Sequence, residues 1–81
     1  MKDAIRDIVG KSIAGVVVKE SDRPPRRQVF LVFSDGTYYE LYSGSGDIKG
    51  AGGIDTGGLE AVRNYMSATH KIVLEAVASE S

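Results

Sequence analysis

With one histidine and no cysteine in 81 residues, the chain leaves catalysis little to work with. Nucleophilic chemistry needs an activated side chain beside a base that a third group orients. No spacing here points to such an arrangement around His70, which is expected to sit partly exposed at an element boundary. Asp35 and Glu40 resemble a carboxylate pair, yet Asp35 belongs to a turn and Glu40 relieves an otherwise apolar strand face. The expectation is therefore a non-enzyme with no catalytic residue, no metal ligand and no cofactor.

The segment Gly44–Gly58 holds seven of the ten glycines and runs into a helix, as phosphate-binding loops do. Its details argue otherwise. A P-loop places Gly-Lys-Ser/Thr at the helix start, where this chain has Gly57-Gly58-Leu59, and the dinucleotide fingerprint is not met. A capping Asp55 would also put a carboxylate on the amides that a phosphate needs. Asp47 and Asp55 make too small an oxygen set for calcium, which takes six to eight oxygens. The glycines are read as serving tight turns and close backbone packing.

Arg23, Arg26 and Arg27 flank Pro24-Pro25 and could contact phosphates. Glu20 and Asp22 offset that charge, and no aromatic platform is interleaved. Ten basic against eleven acidic residues give a formal charge of −1, without the basic excess of a dedicated nucleic-acid binder. Nucleic acid, or a small ligand held by the Gly44–Gly58 loop and the Arg23/Arg26/Arg27 cluster, is the alternative function. The longest apolar runs fall far short of a membrane span, and charges at Lys2, Asp3, Arg6 and Asp7 interrupt any signal-peptide core. A soluble, cytoplasmic protein is expected.

The elements that must position these residues follow from periodicity. Ala4, Ile5, Ile8 and Val9 predict a short helix over residues 3–9, closed by Gly10. Ile13-Ala14-Gly15-Val16-Val17-Val18 reads as a first strand. Asp35-Gly36 between Val29–Phe33 and Thr37–Tyr42 predicts a two-residue hairpin turn. In that register Phe33 opposes Tyr38 and Val32 opposes Tyr39. Asp55 is expected to cap a second helix, with Ile54 and Leu59 stapling its start and Leu59, Val62, Tyr65 and Met66 on its inner face. Ile72-Val73-Leu74 suits a buried strand, with His70, Ile72, Leu74 and Ala76 on one face. The alternative is that this segment continues the second helix.

The chain is thus read as a single α+β domain over residues 1–81. A three-stranded antiparallel meander with a fourth, C-terminal strand packs against two helices in the order α-β-β-β-α-β. One sheet face would carry Val29, Leu31, Phe33, Tyr38 and Tyr42. A two-turn helix cannot hide five such side chains, and monomers rarely expose such a patch unless something binds it. A protein-interaction domain, possessing a protein partner or self-associating, is the expected function.

Overall fold

A computed structural model of the protein describes residues 5–43 and 46–78. Six strands form one antiparallel sheet: β1 (Ile13–Glu20), β2 (Arg27–Phe33), β3 (Thr37–Ser43), β4 (Ile48–Gly50), β5 (Asp55–Thr56) and β6 (Lys71–Val77). Across the sheet the strands run β4-β3-β2-β1-β6, with β5 pairing the start of β3. One α-helix is present among the described residues, α1 (Gly58–Asn64), and a 3₁₀ turn at Ile5–Ile8 precedes β1.

This architecture corrects the expected α-β-β-β-α-β order with its two helices on a three-stranded meander. At the N-terminus, so short a segment cannot sustain α-helix alone, and the described part is a single 3₁₀ turn. The glycine-rich segment, read from sequence as a loop, is not one throughout. Its described part adds β4 and β5 to the edge of β3, so backbone pairing holds it. The Ala51 amide donates to the Glu40 carbonyl at 2.9 Å, and the Tyr39 hydroxyl donates to the Ala51 carbonyl at 3.0 Å. Gly50 is needed there, because a Cβ on it would lie 2.2 Å from the Tyr39 hydroxyl.

The second helix starts later and ends sooner than expected. Asp55 lies in β5 rather than at an N-cap, which removes the Ile54–Leu59 staple. Gly57, at φ 124, takes the cap position. Tyr65 is already extended, and Met66 turns the chain at φ 53. The C-terminal segment is a strand, but an exposed one, and not a continuation of the helix.

The hairpin register also differs from expectation by one residue. The Gly36 amide donates to the Phe33 carbonyl at 3.2 Å, with Gly36 at φ 86. Ser34, Asp35 and Gly36 thus form a three-residue loop, in which a turn is followed by a left-handed glycine. Val32 consequently pairs Tyr38, Leu31 pairs Tyr39, Phe30 pairs Glu40 and Val29 pairs Leu41. Since side chains alternate, that single residue exchanges every β3 side chain between faces relative to β2.

The core divides between the two faces. Under α1, Val17, Phe30, Val32 and Tyr38 pack with Val62, flanked by Leu59 and Ala61. On the far face, Phe33 and Tyr39 pack with Ile8, Leu31, Leu41, Ala51 and Ile54. The helix buries one face, while the 3₁₀ turn and the segment after β4 cover only one end of the other.

Candidate functional site

The far face is where the sequence-predicted surface must be sought. Val29, Leu31 and Phe33 alternate on β2 and share this face. Tyr38 and Tyr42 do not: in the true register they lie on the α1 face with Phe30 and Gln28. The five-residue surface expected from sequence is therefore split by the sheet, three residues on one side and two on the other.

The far face gains other apolar residues in their place. Leu41 pairs Val29, Val16 pairs Leu31, and Val18 pairs Val29 from the other side. On β6, Leu74 pairs Val18 and Ala76 pairs Val16. Paired residues share a face, so two apolar rows cross the sheet, Leu74-Val18-Val29-Leu41 and Ala76-Val16-Leu31. Val16, Val18, Val29, Leu31 and Leu41 are each half-buried, and Leu74 is 50% exposed. Sequence reasoning missed Val16, Val18, Leu41, Leu74 and Ala76. For β1 the signal was present, as the period-two alternation of Val16 and Val18 with Gly15 and Val17. For Leu41 it required the correct turn length.

β6 ends the strand order, and its residues are exposed along their whole length. Its pairing slips at Val73: Val18 opposes Leu74 while Lys19 opposes Ile72. Val73 is thus an extra residue, a bulge that sets the halves of the strand out of phase. Ile72 falls on the α1 face with Lys19, not beside Leu74 as the sequence reading had it. Bulges of this kind discourage another strand from adding to an edge.

The α1 face ends in a polar group below the C-terminus of the helix. Lys19 is fully buried, and its ammonium donates to the Tyr65 carbonyl and, at 3.4 Å, to the Arg63 carbonyl. It caps the helix end, where carbonyls lack partners and the dipole favours a cation. Burial lowers the Lys19 pKa, with the Glu40 charge opposing. The Gln28 amide nitrogen donates to Glu40 Oε2 at 2.7 Å, and the Met66 sulfur lies 3.9 Å from it. Burial raises the Tyr65 phenol, and the charges of Glu40 and Asp55 push the same way. Beside these groups opens a cleft of about 370 Å³ lined by Pro25, Gln28, Glu40, Tyr42, Tyr65 and Met66.

The remaining candidates stay apart from this group. Arg23, Arg26 and Arg27 are exposed, the first two in the β1–β2 loop and the last at the start of β2, 3.7 Å from Glu20. Asp47 is exposed before β4, and Asp55 lies in β5; Gly44 falls outside the described residues. His70 is buried, not partly exposed, because it ties two loops together. One ring nitrogen donates to the Pro25 carbonyl at 2.8 Å, leaving Nδ1 to accept from the Thr69 hydroxyl at 2.8 Å. Among the described residues, no group of three His, Asp or Glu could hold a metal ion, and no helix is long and apolar enough to cross a membrane. Compared with protein families, curated proteins and solved structures, the chain matches none.

Proposed function

We propose that this protein is a non-enzymatic interaction domain whose partner is a second copy of itself, docked face to face through the sheet surface opposite α1. A cytoplasmic setting, consistent with a cysteine-free chain, belongs to the same reading. The observation that carries the proposal is the pair of apolar rows Leu74-Val18-Val29-Leu41 and Ala76-Val16-Leu31, which no element of the described chain covers along most of its length. The molecule has a shortest extent of 18 Å, and among the described residues its one sheet carries one short helix, packed on the opposite face.

Area supports a second copy. Four strands at about 4.8 Å spacing and seven residues long present roughly 450 Å² in projection, and more in accessible area. That lies within the roughly 300–600 Å² of the largest patches monomers expose, and a face-to-face pair would bury about 900 Å² in projection, the size of a weak, reversible interface. Valine and leucine rows on two identical faces can interdigitate as the sheets of a sandwich do. Addition at the β6 edge is the weaker geometry, because the Val73 bulge interrupts the ladder.

Sedimentation equilibrium at about 100 μM protein tests this, since an interface of this size supports micromolar affinity. A dimer is expected. Val29→Lys with Leu74→Lys should give a monomer with an unchanged β-sheet circular dichroism spectrum, because both side chains point away from α1 and neither packs in a core cluster. A wild-type monomer at that concentration sinks the proposal, and so does a dimer that survives the double substitution.

A further inference from the structure

Three independent irregularities meet in the cleft on the α1 face, on the opposite side of the sheet from the proposed docking surface. Gln28 is fully buried, and its Oε1 is the one buried side-chain oxygen or nitrogen among the described residues without a hydrogen-bond partner. Reversing the amide would only turn that oxygen onto the Glu40 carboxylate. Met66, the one described non-glycine residue at positive φ, holds its sulfur beside the Gln28 amide. Left-handed backbone at a non-glycine residue is unfavourable, and such residues cluster at ligand sites. The cleft itself is lined by Glu40, whose carboxylate accepts from Gln28, together with Tyr42 and Tyr65.

We propose that this cleft binds a primary ammonium group on a short alkyl chain. An unpaired buried oxygen needs a donor, and the cost of leaving it without one is what a ligand would recover. Glu40 supplies a negative charge, and Tyr42 and Tyr65 line the cleft with rings of the kind that attract cations. Pro25 and the Met66 thioether offer apolar contact to the alkyl chain. Gln28 and Met66 both line the cleft, and binding on this proposal requires the flexible Met66 side chain to yield so that the ammonium reaches Gln28 Oε1. Two cations lie nearby. Lys19 is turned onto the helix-end carbonyls, and Lys49, which pairs Tyr42, is exposed and screened by solvent. The same ammonium chemistry comes from a lysine side chain of a polypeptide or from a free alkylamine.

The test is titration of ¹⁵N-labelled protein with N-α-acetyl-lysine methylamide and with n-butylammonium, following the Gln28 side-chain amide and the Tyr42, Tyr65 and Met66 backbone amides. Saturable shifts are expected, with half-saturation on the order of 1 mM or below. Binding of both probes points to the free ammonium as sufficient; binding of the lysine derivative alone points to a polypeptide source. The N-ε-acetylated lysine derivative should not bind. Glu40→Gln, which keeps a partner for the Gln28 amide, should weaken binding at least about tenfold, the effect of one charge-assisted hydrogen bond. No saturable shift from either probe overturns the proposal. Equal binding by the acetylated derivative, or by the Glu40→Gln protein, overturns it as well. Because the dimer test reads only the far face, either proposal can fail while the other stands.

Discussion

At the scale of single residues, the hairpin tip shows how one side chain serves several partners. Asp35 receives the Lys11 ammonium, the Thr37 hydroxyl and, at 3.0 Å, the Thr37 amide. The bond from Lys11, then that from Thr37, holds its carboxyl pKa down to about 2 from 3.8. The folded chain therefore keeps this carboxylate ionised where the unfolded chain would protonate it. Its stabilising contribution is complete above pH 3.8 and disappears as pH falls through about 2. Carboxyl ¹³C titration should place the Asp35 midpoint near about 2, and Lys11→Ala should move it up toward the ordinary aspartate range of about 3.9. A midpoint indifferent to Lys11 would show that the ammonium is not what holds it. That the chain reverses at Asp35-Gly36 was legible in the sequence, because Gly36 takes a left-handed backbone that favours glycine, but the two-residue turn expected there is a three-residue loop. The Lys11 contact was not, because it joins residues 24 apart in the chain.

At the scale of elements, α1 is a seven-residue helix held at its end by a strand residue. The Tyr65 and Ser67 amides serve the Ala61, Val62 and Asn64 carbonyls, and Lys19 supplies donors to those of Arg63 and Tyr65. Lys19→Ala should cost about 2–3 kcal/mol, combining lost packing of the buried stem with lost hydrogen bonds. Lys19→Met, which keeps the stem, should cost about 1 kcal/mol near neutral pH. Burial lowers the Lys19 pKa below 10.5, so between that lowered value and 10.5 the unfolded chain binds more protons than the folded one. Wild-type stability then rises with pH through this window, and denaturant melts should show the gap to Lys19→Met widening there. A constant gap would mean the ammonium is not desolvated. Element by element, the strands were readable because their β-branched and aromatic runs are local. The helix boundaries were not, since Asp55 competes between capping a helix and extending β3, and only the pairing of β5 with Tyr38 decides it. The hairpin loop length was likewise undetermined by its dipeptide, and that one residue sent Tyr38 and Tyr42 to the wrong face.

For the whole molecule, β1 and β2 are each paired along both edges, whereas β4 and β5 add three and two residues to the rim of β3. Opening β5 exposes little apolar area, while opening β2 dismantles both cores. Native-state hydrogen exchange should find the slowest amides at Val17, Val18, Phe30 and Leu31, with the hydrogen-bonded amides of β4 and β5 exchanging far sooner. Equal protection at both places would contradict this hierarchy. The candidate sites belong to this scale, which is why so little of them was legible: the far-face rows draw on four strands, and the cleft joins residues from Pro25 to Met66.

The pairing of β1 with β6 bears on how the chain is made. The ribosome adds Val16–Val18 almost 60 residues before their outer partners, Leu74–Ala76. At about 5–20 residues per second that interval is roughly 3–12 s, long against hairpin closure, which takes about 1–10 μs. The chain therefore spends seconds in which β1, β2 and β3 have been made and β1 has no outer partner, so its edge stays open to another strand. The sheet is complete only once β6 is made, and slowing translation between β3 and β6 would prolong the interval in which this edge can capture the wrong strand.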